Sequence, residues 1–372
     1  MTYQSIAAHR SMALDAVRNE AYGAALREMV GPQSVVLDLG AGTGVLGLMA
    51  ARAGARRVYL VEPEDIIAVA GEVVRANRLE DVVLCVQGRI EEVQLPERVD
   101  VIVSVLTGNF LLTEDLLGSL FHARDTWLAP GGALIPSAAR MRGVPVSAPR
   151  LFEKEVAAWS TPHHGVDLAS VRSYAANTIY YRTDVRETEW LSEPATLHEV
   201  DFATGAYTGL RVEAAVTIGG PGLCHGWAGW FDMKLGDRWL STSPKGRPMH
   251  WTPAFLPLDP PVRVEAGERM TLQLARSPFG DWTWTTESGA GRRRHSTLLS
   301  APITGDSLNR ASLAYAPALN AEGGLLLDAL SRFDRAASVE RIAADLQARH
   351  PVRFRTNEEA LRFVRGLLKP FA

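Results

Sequence analysis

The sequence is short of cysteine, of net charge and of long apolar runs, and each shortage excludes a class of protein. Only Cys85 and Cys224 occur in 372 residues, so a disulfide framework and a cysteine-rich zinc site are excluded, and we expect no metal. The net charge of −3 gives no case for a basic face that would bind DNA or RNA. No signal peptide opens the chain and no apolar run reaches about 18 residues, which predicts a cytoplasmic protein without a membrane span.

The first part of the chain alternates short apolar runs with helical patterns. The strand-like runs are VVLDL (35–39), RVYLV (57–61), VVLCV (82–86) and VDVIVSVL (99–106). Strands that are separated by helices indicate a parallel sheet covered on both faces. We therefore predict an α/β, doubly wound Rossmann-like domain over residues 1–142.

The rest of the chain shows two further sequence patterns, one typical of β-strands and one typical of helices. From 143 to 303, short alternating segments rich in Trp, Thr and Pro, such as RMTLQLA and DWTWTT, predict an antiparallel β-barrel domain. From 304 to 372 the pattern predicts a small helical module. Ser338 is the expected N-cap of one helix, and Thr356 with Glu359 forms the expected capping box of the next.

A glycine-rich turn follows the first strand. In VLDLGAGTG, Asp38 lies near the strand end, and Gly40, Gly42 and Gly44 lead into a helix. Glycine permits positive φ and close approach of a ligand, and a helix N-terminus supplies N–H groups. Glu62 ends the second strand 18 residues after Gly44, where an acid can accept both hydroxyls of a ribose. The spacing favours S-adenosylmethionine (SAM) as the cofactor, with a ligand-free glycine turn as the alternative.

Further motifs are spread along the chain. An N-terminal helical stretch carries His9, Met12, Asp15, Arg18 and Tyr22. ARAGARRVYLVE, GRIEEVQLP and ARDTWLAPGGALIP follow the glycine turn, and WFDMKL, STSP and His250-Trp251 lie in the β-rich region. In content, order and spacing, this series resembles the protein arginine N-methyltransferase family over roughly residues 3–300. The resemblance implies a SAM-dependent methyltransferase.

The resemblance also implies which residues contact the cofactor. Arg18 would pair with the SAM carboxylate and Glu62 would hold the ribose. Ile90 and Glu91 would contact adenine, and Met12 belongs to the helix that covers the cofactor. For Arg18 considered alone, a charge on a surface helix is the alternative.

The acceptor side of the site is implied in the same way. Asp15 and His250 would meet across the two domains beside the acceptor, next to Trp251. The stretch SVLTGNFLLTEDL (104–116) corresponds to the loop that offers two glutamates to a guanidinium, and Glu114 matches the second glutamate. A barrel histidine with its hydrogen bonds satisfied internally is the alternative for His250.

This loop departs from the family pattern. Val105 replaces the first glutamate, Thr107 a methionine and Asn109 an aromatic residue, while Tyr3 matches only one of two lid tyrosines. A guanidinium is always charged and presents a planar fork of donors. Burying it beside one carboxylate and an isopropyl group leaves donors unpaired, at a cost of about 1–3 kcal/mol. Val105 therefore predicts an acceptor with fewer donors or no fixed charge, such as an imidazole, an amine or a hydroxyl.

The C-terminal module has a second resemblance. Residues 312–372 are similar to the small winged-helix peptide-recognition domains of peptide natural-product pathways, through a strand-like opening, a helix from Leu319-Asn320 and two amphipathic helices. This implies that the acceptor is a peptide recognised through a leader segment. An appended helical bundle that buries its own apolar faces is the alternative.

Three functional hypotheses stay open at this point. The first is N-methylation of a peptide or small-molecule intermediate on a nitrogen other than a guanidine. The second is arginine methylation with another residue replacing the missing glutamate, and the third is a SAM-binding partner protein without catalysis. The resemblance further implies a homodimer, with the apolar segment 165–193 packing on the partner.

Overall fold

The computed structural model describes residues 6–206 and 208–371. The chain divides into two compact units, Met1–Pro302 and Ile303–Ala372. Tyr3, which sequence comparison matches to a lid tyrosine, lies outside the described residues.

The first unit begins with helices and a five-stranded parallel sheet. Its helices are α1 (Ile6–Ala13), α2 (Ala16–Met29), α3 (Val45–Arg52), α4 (Ile67–Ala76) and α5 (Leu117–Trp127). Its strands are β1 (Val35–Leu39), β2 (Arg57–Glu62), β3 (Val83–Gln87), β4 (Val99–Ser104) and β5 (Leu128–Ile135). The strand order is β3-β2-β1-β4-β5, and every pairing is parallel. The predicted Rossmann-like arrangement is confirmed.

The position of each strand in the sheet determines how deeply the strand is buried. The strand order also determines where a crevice opens at the edge of the sheet. All five residues of the central strand β1 are buried, whereas Leu84 and Cys85 of β3 are exposed because β3 is an edge strand. The strand order reverses between β1 and β4, which opens a crevice at the carboxyl ends of the strands. Strand β4 ends at Ser104, so Val105 belongs to the loop over that crevice and not to the strand.

Antiparallel strands make up the rest of the first unit. They are β6 (Ala138–Ser147), β7 (Tyr180–Tyr181), β8 (Glu189–Trp190), β9 (Ala195–Asp201), β10 (Leu210–Thr217), β11 (Gly222–Leu235), β12 (Arg238–Ser241), β13 (Ala254–Val264), β14 (Arg269–Arg276), β15 (Trp282–Ser288) and β16 (Gly291–Ser296). A seven-stranded sheet centred on β11 and a four-stranded sheet, β10-β14-β15-β16, form the barrel-like part. The predicted antiparallel barrel architecture is confirmed.

One hydrophobic core joins the parallel sheet to the barrel. Phe110, on the loop after β4, is 1% exposed and packs against Trp282 of β15 with ring centroids 5.4 Å apart. Tyr22 of α2 is fully buried, and its hydroxyl donates to the backbone oxygen of Ser104 at 3.0 Å. The same hydroxyl lies 3.6 Å from Met233 Sδ on β11. The barrel therefore forms one wall of the region around the β4 loop.

The segment 165–193 packs partly on its own barrel. The short helix α6 (Pro149–Glu155) precedes this segment, and α7 (Arg172–Ala176) lies within it. Ile179 is buried, the hydroxyl of Tyr180 donates to Ala175 O at 2.8 Å, and Trp190 stacks on Trp230 at 5.4 Å. The apolar set that the sequence assigned to a partner is thus partly covered within this chain, with Ile179 buried and Tyr180, Tyr181 and Trp190 half-buried, because the strands β7 and β8 pair with β13 and β6.

The second unit is helical. Its helices are α8 (Gly305–Ala311), α9 (Ala321–Leu330), α10 (Val339–Arg349) and α11 (Asn357–Phe371). Ser338 Oγ caps α10 by accepting from Arg341 N, and Thr356 and Glu359 exchange the two hydrogen bonds of a capping box. Leu325, Ile342 and Leu346 belong to its own core.

The winged-helix interpretation of this unit needs a correction. The helical prediction is confirmed, but the strand expected at its opening is not formed, and the described residues 303–371 contain no strand. All described residues of 301–322 are exposed, so this stretch lacks the partner strand that a β-structure requires. Across the described parts of both units, no helix has the length and apolarity needed to cross a bilayer.

Candidate active site

The glycine turn after β1 requires glycine for steric reasons. Gly40, Gly42 and Gly44 have φ of 71°, 55° and 81°, a left-handed region that side chains disfavour. A Cβ on Gly40 would lie 3.0 Å from Leu106 Cδ2, and one on Gly42 would lie 2.9 Å from His9 Nδ1. Gly40 and Gly42 line the cavity, where side chains would meet Leu106 and His9, whereas a Cβ on Gly44 would meet Leu60 of the core.

A fixed carboxylate stands at the end of the neighbouring strand β2. Glu62 Oε2 accepts from Gly42 N at 2.9 Å, and Glu62 Oε1 accepts from Glu64 N at 3.0 Å. The side chain is buried, with 6% of the residue exposed. Both oxygens keep a lone pair, so this carboxylate can accept hydrogen bonds from two adjacent hydroxyls without reorganising.

A cavity of about 550 Å³ lies between these elements, the loop after β4 and the barrel. Twelve of the sequence-predicted site residues line it: Met12, Arg18, Asp38, Gly40, Gly42, Glu62, Val105, Thr107, Asn109, Glu114, His250 and Trp251. Of the residues that the structure describes, Asp15, Gly44, Ile90 and Glu91 do not line it. Asp15 and Gly44 support lining residues, while the adenine contacts of Ile90 and Glu91 stay predictions.

Burial sets the electrostatics of the cavity floor. Arg18 is 4% exposed, and its Nε and Nη2 donate to Asn19 Oδ1 at 3.0 and 2.7 Å. Burial holds the pKa of Arg18 below its usual value, although the nearby Tyr22, Asp15 and Asp38 partly offset this. Burial raises the pKa of Asp38 to about 7, although its Oδ2 accepts from Gly47 N at 2.7 Å. A buried cation and a buried carboxyl group therefore face the cavity together.

Asp15 and His250 form a hydrogen-bonded pair beside this floor. Asp15 caps α2 by accepting from Arg18 N at 3.0 Å through Oδ1, and its Oδ2 lies 2.8 Å from both the backbone N and the ring Nδ1 of His250. Burial lowers the pKa of His250 to about 4, because the partial support from Asp15 does not offset desolvation. Burial would raise the pKa of Asp15, but its hydrogen bonds with Arg18 and His250 leave it lowered. The pair is an ionised Asp15 and a neutral imidazole that donates from Nδ1, which leaves the Nε2 lone pair available.

The neutral state of His250 makes folding stability depend on pH. The ring binds a proton near pH 6.5 in the unfolded chain and near 4 in the folded one, so the unfolded state gains protons first as the pH falls. The contribution of the neutral His250 ring to the free energy of unfolding is therefore fully present above pH 6.5 and is lost as the pH falls towards 4. Between pH 7.5 and 5 we expect the wild-type protein to lose about 2 kcal/mol more unfolding free energy than His250→Gln. Urea titrations of both proteins measure this, and identical pH slopes would contradict it.

The loop after β4 is held in an unusual backbone shape by the barrel. Phe110, Leu111 and Asp115 have φ of 52°, 65° and 56°, which non-glycine residues adopt only when their surroundings enforce it. Trp251 Nε1 donates to Thr107 O at 2.9 Å, and Thr252 N donates to Asn109 Oδ1 at 2.9 Å. Two of the three loop residues that differ from the family pattern thus accept hydrogen bonds from the barrel, Thr107 through its backbone oxygen and Asn109 through its side chain.

The adjacent acids of this loop have separate surroundings. Glu114 is exposed and lines the cavity. Asp115 turns away and pairs with Arg276 at the end of β14, where both side chains are almost buried. Removing one partner of a buried ion pair costs about 3–5 kcal/mol, so this contact is a strong anchor.

Sequence reasoning missed Arg276, although the sequence carries a signal for it. Strand β14 alternates, and Met270, Leu272 and Leu274 are buried at every second position. Arg276 continues that inward face. A charged residue at a core position implies a buried partner of opposite charge.

The fold and the cavity together define a SAM-dependent methyltransferase, and comparisons with known proteins narrow the class. Residues 36–132 match the family described as a methyltransferase domain, and residues 137–285 match the arginine methyltransferase oligomerization subdomain. Protein arginine N-methyltransferase 6 of Xenopus tropicalis is 34% identical over 290 residues, which cover 74% of this chain and 85% of that protein. Human protein arginine N-methyltransferase 2 is 30% identical over 323 residues, covering 82% and 72%. The chain belongs to the protein arginine N-methyltransferase family.

Solved structures agree with this assignment. The Trypanosoma brucei PRMT1 enzyme-prozyme heterotetrameric complex with AdoHcy matches with a TM-score of 0.73 and 27% identity, over 80% of this chain and 99% of that one. Arabidopsis thaliana protein arginine methyltransferase 10 matches with a TM-score of 0.68 and 26% identity, over 79% and 99%. The cofactor is SAM, and the residues present fit it. The cavity offers a paired acceptor in Glu62, a buried cation in Arg18 and glycines at the closest approach.

Proposed function

We propose that this protein transfers a methyl group from SAM to a nitrogen other than a guanidine, on a peptide or biosynthetic intermediate. The observation that carries the proposal is Val105, which lines the cavity where the family pattern has a glutamate. Among the described lining residues the carboxyl groups are Asp38, Glu62, Glu64 and Glu114. Asp38 lies in β1, Glu62 ends β2 and Glu64 follows it, so among these four only Glu114 comes from the loop over the crevice.

The electrostatics of this loop favour an acceptor with few donors. A guanidinium has five N–H donors and a permanent charge. One carboxylate can pair with two of those donors, and the isopropyl group of Val105 can pair with none. The unpaired donors would cost about 1–3 kcal/mol. An imidazole or an uncharged amine presents one or two N–H groups, which Glu114 alone can satisfy.

Each chain residue has a proposed task in the reaction. When bound, SAM supplies an electrophilic methyl group on its sulfonium. Arg18 binds the carboxylate end of the cofactor, Glu62 binds its ribose, and Glu114 orients one acceptor N–H or takes its proton. His250 offers Nε2 as a further acceptor of a hydrogen bond. Since methyl transfer needs in-line placement of a lone pair, positioning by these groups dominates the catalysis.

An acceptor panel tests the proposal. Matched peptides that contain a single Arg, His or Lys are incubated with the full chain and SAM, and methylated products and S-adenosylhomocysteine are measured by mass spectrometry. We expect no methylation of the arginine peptide. Arginine methylation is the second candidate, since the similar proteins carry that name, and efficient methylation of the arginine peptide would establish it. No product formation with the panel or with cell extract would favour a SAM-binding protein without catalysis.

The second unit is proposed to recognise a peptide acceptor. It has its own core, so deleting residues 306–372 should leave SAM affinity within about twofold, because a unit with its own core can be removed without opening the core of the first unit. The loss should appear as a higher KM for the acceptor. Calorimetry with SAM and steady-state kinetics measure the two effects. Aggregation of the truncated protein, or loss of SAM binding, would show that the unit is structural.

The protein is proposed to act as a homodimer. Residues 137–285 match a family model of an oligomerization subdomain, and the Trypanosoma complex is named as a heterotetramer. In the segment 165–193, Val166 and Tyr174 are still exposed, so part of its apolar surface is available to a partner. Light scattering at micromolar concentration should give twice the 40.5 kDa of one chain. A mass of one chain would contradict the dimer.

A further inference from the structure

The guanidinium of Arg276, at the end of β14, makes hydrogen bonds to both ends of the segment 112–115, which contains Glu114. Arg276 Nη1 donates to Leu112 O at 2.7 Å and to Asp115 Oδ1 at 2.7 Å, and Nη2 donates to Asp115 Oδ2. The side chains of Arg276 and Asp115 are only 8% and 7% exposed. Charge-assisted pairs of this bidentate kind are strong and fix geometry as well as distance. Arg276 therefore fixes the segment 112–115 at its first residue and at its last residue.

The backbone of Asp115 needs such support. Its φ of 56° lies in the left-handed region, which is held only where surrounding contacts enforce it. Asp115 Oδ1 also accepts from Phe279 N at 3.2 Å. Arg276 in turn lies over the ring of Trp282 at 5.3 Å, and that ring packs on Phe110. The Arg276 side chain is therefore held in place by contacts with both the loop and the barrel core.

Glu114 lies between the two pinned positions and is one peptide bond from Asp115. Its side chain lines the cavity, and its backbone N lies 3.0 Å from the point where a Cβ on Gly108 would stand. A rotation at Asp115 therefore moves the Glu114 carboxylate directly. We propose that Arg276, acting through Asp115, is the positioning residue that aims Glu114 into the cavity. The inference rests on the proposed role of Glu114, but it does not depend on which nitrogen accepts the methyl group.

A second pair in the barrel offers a matched control. Arg172 Nε and Nη2 donate to Asp259 Oδ2 and Oδ1 at 3.1 and 2.6 Å, which is also a bidentate pair, although it uses the side of the guanidinium and its two side chains are 30% and 18% exposed. This pair joins α7 to β13, and neither residue is among the described residues that line the cavity. A loss of rate that followed from general weakening of the barrel would affect both pairs.

The test uses the full chain, SAM and whichever peptide of the Arg, His and Lys panel the wild-type protein methylates. Arg276→Met and Asp115→Asn should each lower kcat by about 100-fold, since a displacement of about 1 Å has effects of that size. The KM and Kd for SAM should change by less than about twofold. The double variant should be no slower than the worse single variant, because both changes remove one contact. Arg276→Lys, which keeps the charge without the fork, should be intermediate, and Arg172→Met should keep wild-type turnover.

Hydrogen exchange gives a readout that needs no acceptor. The amides of residues 105–116 should exchange faster in Arg276→Met, while those of β4 keep their wild-type rates, and Arg172→Met should change neither. Unchanged kcat in Arg276→Met, or a fall in SAM affinity as large as the fall in kcat, would overturn the inference. Methylation of the arginine peptide by the wild-type protein would refute only the proposal of a non-guanidine acceptor. The kcat values of the Arg276 variants would then be measured with the arginine peptide. If no peptide is used, unchanged exchange in the loop overturns the inference.

Discussion

Replacing Glu114 by Gln should lower kcat by about 100-fold or more while SAM affinity stays within about twofold, since a positioned proton acceptor contributes about 10²–10⁴ to a rate. Glutamine keeps the shape of the side chain but loses the charge. Glu114 lines the cavity from the loop after β4, whereas the cofactor turn is built from β1 and β2, so the two effects should separate. Mass spectrometry of products and calorimetry with SAM measure them.

A matched control for this change is Glu153→Gln, an exposed glutamate on α6, which should keep wild-type turnover. If Glu114→Gln lowers kcat as little as Glu153→Gln does, Glu114 has no catalytic role. A parallel loss of SAM binding would instead mean that the loop supports the cofactor.

Val105→Glu tests the acceptor side of the same proposal. A new carboxylate beside an acceptor without a matching donor would be desolvated and unpaired, which costs about 1–3 kcal/mol or more in proteins. The native reaction should therefore slow by at least about tenfold, the equivalent of about 1.4 kcal/mol. Val105→Gln has the same size without the charge, and it separates crowding from electrostatics. Weak methylation of an arginine peptide by Val105→Glu would fit the proposal, although Thr107 and Asn109 are bound to the barrel and stay unlike the family pattern.

Glu62→Ala should weaken SAM binding by at least about tenfold. Charge-assisted hydrogen bonds are worth about 1.5–3 kcal/mol each, and the carboxylate is placed to accept two. The change also removes the acceptor of Gly42 N and Glu64 N, so part of the loss comes from a less ordered turn. Isothermal calorimetry measures the affinity, and thermal melting without SAM shows whether the fold survives. Glu80→Ala, an exposed residue outside the described cavity lining, is the control, and unchanged affinity in Glu62→Ala would contradict its proposed contact.

Local patterns in the sequence were enough to predict the parallel sheet and the cofactor turn, whereas the other cavity residues, such as Arg18, Glu114 and His250, were predicted through the family resemblance. The buried run of β1, its glycine turn and the acid at the end of β2 are close in sequence, and the parallel topology brings the strand ends to one edge. The capping box at Thr356 and Glu359 was equally local. Such features depend on neighbours in the chain, so sequence alone specifies them.

The features that sequence reasoning missed depend on distant contacts. Asp115 and Arg276 are 161 residues apart, and no local pattern links them. The resemblance assigned Glu114 to the cavity but gave no role to the adjacent Asp115, whose partner lies far along the chain. The covering of segment 165–193 depends on strand pairing with β6 and β13, which periodicity does not specify for strands of two residues.

The shared core between the parallel sheet and the barrel has a consequence for how this enzyme can change over evolution. Phe110 packs the acceptor loop on Trp282 of the barrel, and Tyr22 binds the end of β4 from which that loop starts. Substitutions that reshape the acceptor pocket therefore also alter the packing that holds the cofactor half together. The second unit has its own core and is free of that constraint. The C-terminal unit can therefore diverge without disturbing that core, whereas changes of the acceptor pocket that reach Phe110 or Tyr22 must also preserve the packing of the cofactor half.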